Sequence, residues 1–165
     1  KFSDVLIEAK QKGLTEPDPR EDLSGNDVAR KLFILAREIG MPCEFDDVQI
    51  QNLIPETLLE IEDWIEFEKH FDRLDQFYND LLEQLPENKV FRYAGELEKG
   101  GELKVSLIET DKNTSLGSIK GSDSIFEIYT EAYGDQPFII QGAGAGAEVT
   151  ARGVYADLLR IGSKL

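Results

Sequence analysis

Residues 13–31 read GLTEPDPREDLSGNDVARK, and the rest of the chain is organised around this stretch. Pro17 and Pro19 push the preceding Glu16 and Asp18 away from helical angles. Residues 14–25 are therefore expected as a stiff, extended loop whose acids point in fixed directions. From Asn26 the pattern turns helical and runs to Ile39, with Val28, Leu32, Leu35 and Ile39 as the buried stripe. Ser24 followed three places later by Asp27 resembles a capping box with a shorter acid, and Gly40 ends the helix.

Upstream, residues 2–12 read as a helix capped by Ser3, with Val5, Leu6 and Ala9 on one face and Gly13 just past its end. Downstream, Val48 to Ile50 alternates like a short strand. Residues 57–86 form an acidic region of two helices whose stripe, from Leu58 through Trp64 and Phe67 to Leu82, is core. After Asn88 the period changes to two: Phe91, Tyr93 and Leu97 fall on one face, with Arg92, Ala94 and Glu96 on the other. Gly100-Gly101 suggests a hairpin turn into a returning strand, Leu103 to Ile108. A third strand is expected at Ser124 to Ala132, a fourth at Pro137 to Gln141, and a helix after Gly146 with Val149, Val154, Leu158 and Leu159 inward. Helices first, antiparallel strands second and one helix last make an α+β chain with a mainly antiparallel or mixed sheet.

The totals bound the function. The sequence has 165 residues with 33 acids against 18 bases, a net charge of −15. That balance repels nucleic acid and anionic membrane, so neither is expected as a partner. The acids are dispersed rather than blocked, as on a soluble domain. One cysteine, Cys43, allows no intrachain disulfide and suits a reducing, cytoplasmic setting. One cysteine and one histidine, His70, do not build a typical zinc site, so no metal is expected. No apolar run is long enough to span a bilayer. The chain begins at Lys1 rather than methionine, as a piece of a longer protein would.

Two constellations could carry chemistry. Asp27 and Lys31 are four apart and share a helix face, which the expected stripe places at the edge of the core. A lysine there, among carboxylates, is an ammonium that could donate a proton to a developing alkoxide. Glu16, Asp22 and Asp27 could hold a substrate ammonium group. By spacing alone the simpler reading, a surface ion pair between Asp27 and Lys31, stands ahead. The second constellation is the glycine-rich turn Gln141 to Thr150 between a strand and a helix, where the backbone allows close approach. It fits G-x-G-x-x-G poorly and leaves no room for the acid that should follow a second strand, so it is not a dinucleotide-binding fold by itself. A plain strand-to-helix connection explains it equally well. There is no P-loop, calcium loop or serine–histidine–acid set.

Residues 13–31 resemble the signature of homoserine dehydrogenases. Gln141 to Thr150, followed by Gly153-Val154-Tyr155-Ala156-Asp157-Leu158-Leu159, is similar to that family's C-terminal end. The similarity spans the chain, most loosely between Phe45 and Asn88. Lys31-Leu32-Phe33-Ile34-Leu35-Ala36-Arg37-Glu38 is closer to the forms fused to aspartokinase. The resemblance implies an NADP- or NAD-dependent oxidoreductase that interconverts L-aspartate 4-semialdehyde and L-homoserine in threonine, methionine and isoleucine biosynthesis. On that basis Lys31 would be the proton donor, Asp22 would help to place it, Glu16 and Asp27 would bind the amino acid, and Gly13 and Gly146 would lie against the cofactor.

The family's N-terminal Rossmann domain, a second active-site lysine and a monovalent-cation site have no counterpart in these residues. The cofactor would be held mainly by that absent domain, and the chain alone would be inactive. Residues 1–91 would carry the substrate site and residues 92–146 would join subunits of a homodimer or higher homo-oligomer. Residues 147–165 would pack on the missing domain. The rival reading is a non-catalytic acidic dimerisation or interaction module. Convergence of Glu16, Asp22, Asp27 and Lys31 on one cleft favours the enzyme; scatter over open surface favours the module.

Overall fold

The structure, a computed structural model, describes residues 1–98, 100–144 and 146–164. It divides into two compact units, Lys1–Thr110 and Asp111–Leu165.

The first unit holds helices α1 (Phe2–Gln11), α2 (Pro19–Leu23), α3 (Asn26–Glu38), α4 (Trp64–Glu68) and α5 (Phe71–Gln84). Its strands are β1 (Val48–Ile50), β2 (Lys89–Leu97) and β3 (Leu103–Asp111). β3 lies between β1 and β2, and runs parallel to β1 with Val48 opposite Leu103 and Ile50 opposite Val105. β2 and β3 are joined by residues 98–102, too short a link for a parallel crossover, so they form an antiparallel hairpin.

The unit has two apolar clusters. In one, Leu6, Leu23, Ile54, Leu58, Phe67 and Leu74 pack α1, α2, α4 and α5 together. In the other, Ala29, Leu32 and Ala36 of α3 pack on Val48, Leu103 and Val105 of the sheet. The stretch 13–31 thus straddles both clusters, with Leu23 committed to the first and Ala29 to the second.

Four local expectations change here. The segment 14–25 is not extended throughout, because Pro19 opens the five-residue helix α2. The fixed φ of proline suits the first turn of a helix, and Asp18 before it stays extended and caps it, accepting from the Arg20 N–H at 3.0 Å. The Ser24–Asp27 capping box does not form, because Gly25 occupies the N-cap position of α3 and Ser24 stands one place too early. The buried stripe of α3 is Ala29, Leu32 and Ala36, while Leu35 and Ile39 are 40% and 66% exposed. Alanines let the helix approach the sheet closely, and a pattern weighted towards large apolar side chains passes over them. Finally, Ser3 lies inside α1 instead of capping it, and Val5 is exposed.

Ser3 has a different task. Its N–H and Oγ donate to the two carboxylate oxygens of buried Asp75 on α5, at 2.8 and 2.9 Å. Burial opposes ionisation of Asp75, but the two Ser3 bonds and the Lys1 ammonium at 3.4 Å outweigh it and hold the carboxyl below its ordinary value. A carboxyl depressed in the folded state stabilises above the unfolded value of about 3.9, and that contribution is lost as pH falls through the folded value. Asp75→Asn is therefore expected to lower stability at neutral pH and to flatten the loss of stability on acidification below about pH 4. Urea titrations across that range check this, and identical acid profiles for variant and parent would refute it.

Gly25 sets the angle between α2 and α3. Its φ of +80° suits glycine, and a β-carbon there would lie 1.8 Å from the Tyr93 hydroxyl. That hydroxyl donates to the Gln51 carbonyl at 2.6 Å, and burial pushes the phenol pKa up, so it stays a neutral donor. Gly25→Ala combines left-handed strain with overpacking and is expected to cost about 2–4 kcal/mol of unfolding free energy. In a Tyr93→Phe background part of that cost should disappear, because the obstructing oxygen is gone. A Gly25→Ala shift below about 0.5 kcal/mol in denaturant unfolding, the range of neutral surface changes, contradicts this account.

In the second unit β4 (Asp123–Ile128) and β5 (Phe138–Ala143) pair antiparallel, with Ile125 opposite Gln141. β4 stops before the expected Ala132. Helix α6 (Ala147–Gly162) follows. Its Val149, Val154, Leu158 and Leu159, expected inward, are all exposed, as are Phe126, Phe138 and Ile140 of the hairpin. The amphipathic pattern is present, but two strands and one helix give it too little to pack against. The whole is α+β, with a mixed three-stranded sheet and an antiparallel pair.

Candidate active site

The four acid and lysine positions form two linked pairs along one continuous segment. Asp22, on α2, turns its carboxylate back to accept from the Glu16 N–H at 2.9 Å. This bond closes the turn 16–22 around Pro17 and Pro19 and fixes where the Glu16 side chain starts. On α3, Lys31 Nζ lies 2.7 Å from Asp27 Oδ2. Gly25 separates the pairs and fixes the angle between their helices.

The expected edge-of-core position for Lys31 is corrected. With the buried stripe at Ala29, Leu32 and Ala36, the helical period puts Lys31 and Asp27 roughly 130–170° away from it. Their side chains are 63% and 64% exposed. Glu16 and Asp22 are exposed as well. All four therefore stand on open surface of this chain, not inside a cleft that the chain encloses. The nearby depression, about 290 Å³, is lined by Asp18, Arg20, Glu21, Asn26, Leu58 and Glu62 among others, and by none of the four.

The pairs retain capacity for a ligand. An ammonium has three donors, so Lys31 keeps two beyond its bond to Asp27. A carboxylate has about four acceptor sites, so Asp27 can hold Lys31 and a second cation together. The turn engages Glu16 through its backbone, whose N–H donates to Asp22 and whose carbonyl accepts from Thr15 Oγ1 at 2.9 Å.

The residue that holds this segment in place escapes a reading of the sequence. Arg20 donates from Nη1 to the Ile61 carbonyl at 2.6 Å and from Nη2 to the Glu62 carbonyl at 2.7 Å. Its Nε donates to both oxygens of Asp18, at 2.9 and 3.0 Å. These bonds hold the Asp18 carboxyl below its ordinary value. The Asp-Pro-Arg order hints at the cap, but the carbonyls lie 41 and 42 residues on and leave no local signal.

Gly13 (φ +66°) follows α1, and Gly146 (φ +124°) precedes the 16-residue helix α6. At either one an added β-carbon would meet nothing within 4 Å. Backbone at both is therefore open to an approaching group, and Gly146 stands at the N-terminus of a long helix. The described strands form no doubly wound sheet that would bind the whole cofactor. Among the described residues no group of three or more His, Cys, Asp or Glu is placed to hold a metal ion, and no helix is long and apolar enough to cross a membrane.

The family model for homoserine dehydrogenase matches residues 1–159. The chain belongs to the homoserine dehydrogenase family. A homoserine dehydrogenase of Paracoccidioides brasiliensis is 43% identical over 168 residues, covering all of this chain and 45% of that protein. A bifunctional aspartokinase/homoserine dehydrogenase of Zea mays is 42% identical, covering 99% of this chain and 18% of that protein. Among solved structures, a Candida auris protein of unknown function superposes with a TM-score of 0.84 at 43% identity, over 99% of this chain and 46% of its own. A putative homoserine dehydrogenase from Archaeoglobus fulgidus gives 0.67 at 26% identity, over 97% and 42%. The chain thus spans less than half the length of these relatives.

Proposed function

We propose that the protein carrying this chain is an NAD(P)-dependent oxidoreductase that interconverts L-aspartate 4-semialdehyde and L-homoserine, and that this chain supplies the amino-acid side of the site. The observation that carries the reading is the segment 13–31. It folds as one braced unit that presents Glu16, Asp22, Asp27 and Lys31 to the outside, in a chain that belongs to the family. Hydride exchange at the substrate's C4 would be the chemistry that a bound nicotinamide cofactor supplies.

The residues of this chain do the rest. Glu16 and Asp27 hold the substrate ammonium, fixing the distance from the α-carbon to the reacting carbonyl. Lys31 Nζ gives a proton to the aldehyde oxygen as it becomes an alkoxide, and takes it back in the reverse direction. Asp22 sets the start of the Glu16 side chain through its bond to the backbone. Gly13 and Gly146 offer open backbone to the cofactor, whose larger part is bound elsewhere in the complete protein. That same part would close over Lys31 and exclude water. The strands within 92–146 would join subunits, and the product would feed threonine, methionine and isoleucine synthesis.

A second reading, the acidic interaction module, gains by the cleft criterion, because all four side chains stand on open surface of this chain; membership of the family weighs against it. One assay separates the two. The complete protein should reduce NAD⁺ or NADP⁺ when homoserine is added, with the two cofactors compared side by side. Absence of homoserine-dependent reduction with both cofactors would overturn the dehydrogenase reading in favour of the module.

A further inference from the structure

We infer that Arg20 is a positioning residue for the amino-acid side of this site: its guanidinium locks α2 to the backbone before α4 and so sets where Glu16 and Asp22 stand. The inference rests on the dehydrogenase reading above.

The argument follows the bonds. Helix α2 has only five residues, too few to be stable by its own hydrogen bonding. Its orientation comes from outside itself. Leu23 anchors one end, buried in the first cluster and accepting from the Leu53 N–H at 2.9 Å. Arg20 anchors the other, with a side chain only 17% exposed. It donates to the carbonyls of Ile61 and Glu62 and to both oxygens of Asp18, and it lies over the Phe67 ring, 5.6 Å from the centroid. A planar fork is needed to reach two successive carbonyls and a carboxylate at once.

What Arg20 holds is the frame of the ligand-facing acids. Asp18, clamped by the guanidinium, is the N-cap of α2. One turn on, Asp22 reaches back to the Glu16 N–H. The segment from Glu16 to Asp22 is therefore a loop closed on itself, and Arg20 is its tie to the neighbouring 61–62 backbone. A short helix released at this end can pivot about Leu23, carrying Glu16 and Asp22 together. Lys31 is on the far side of Gly25, on a helix packed separately on the sheet, and is expected to stay in place. Loss of Arg20 should then weaken amino-acid binding more than it slows the chemical step.

The test uses the complete protein with Arg20→Lys and Arg20→Ala, measuring kcat, the KM for homoserine, the KM for NAD(P)⁺, and thermal unfolding. The expected result is a homoserine KM raised about 10- to 100-fold, the size of one lost charge-assisted hydrogen bond. The KM for the nicotinamide cofactor and the kcat at saturating homoserine should stay within a few-fold. Arg20→Lys should recover stability better than it recovers the homoserine KM, because a lysine keeps the charge but not the fork. A role in folding alone would lower the amount of active enzyme at an unchanged KM, and that result overturns the inference. So does failure of both variants to fold. An unaltered protein without homoserine-dependent turnover is a separate outcome: it removes the dehydrogenase reading itself, and this inference with it.

Discussion

The isolated 165-residue chain is expected to give no measurable turnover of homoserine or aspartate semialdehyde with either nicotinamide cofactor. Two features of the fold lead there. First, Lys31 and Asp27 are nearly two-thirds exposed, so water screens every charge the chain could aim at a developing alkoxide. Electrostatic stabilisation of a transition state depends on a site from which water is excluded. Second, the described strands form a three-stranded mixed sheet and a two-stranded hairpin, neither of which is a doubly wound cofactor fold. Open backbone at Gly13 and Gly146 offers contacts but not a binding site. Enzymes accelerate reactions by at least about 10⁶-fold, so even a small retained fraction of that rate is easy to detect. The assay is nicotinamide absorbance at high protein concentration, with circular dichroism to show that the chain is folded. Homoserine-dependent turnover by the purified chain would show that the site is complete within it.

How much of this was legible beforehand depended on the range of the interaction. The α+β order, the short strand Val48–Ile50 and the turn around Gly100-Gly101 follow from local period and turn chemistry, and they stand. Two of the errors are local, the short helix opened by Pro19 and the cap position taken by Gly25; the others share one cause, a partner that lay far away in sequence. Ser3 reads as a cap until Asp75, 72 residues on, is brought beside it. Arg20 shows no local sign of its task, because its partners are the carbonyls of Ile61 and Glu62, 41 and 42 residues on. Leu35 and Ile39 read as core because their spacing is right, yet the sheet packs against the alanine side of α3. The same substitution of faces turned Lys31 outward. Gly25 marks the opposite limit: it reads as a loop glycine, but its necessity comes from Tyr93, which only the fold places against it. Motif likeness, by contrast, named the family from residues 13–31 without any of these contacts, because it draws on the whole pattern at once.

Lys31→Ala in the complete protein is expected to lower turnover by about 10²–10⁴, the usual worth of a general acid. The structure makes the experiment unusually separable. Lys31 touches Asp27 only as an exposed pair one helical turn apart, and such pairs contribute less than about 1 kcal/mol. The variant should therefore unfold at nearly the parent's temperature while losing most of its rate, so a fall in kcat cannot be laid to a fall in folded enzyme. Lys31→Arg then distinguishes two roles for the same charge. If Lys31 serves only to hold Asp27 for the substrate ammonium, arginine keeps the cation and the pairing, and activity should return. If Lys31 gives up a proton, arginine should fail, because it holds its proton too tightly to donate it at neutral pH. The proton-donor role predicts that both variants are poor and that neither is unstable. Turnover within a few-fold of the parent for Lys31→Ala would take the lysine out of the chemistry, and recovery by Lys31→Arg alone would leave it as the partner of Asp27. The exposed pair at 2.7 Å is compatible with either role, since an ammonium bound to one carboxylate has donors to spare; only the arginine substitution keeps the charge while withholding a transferable proton.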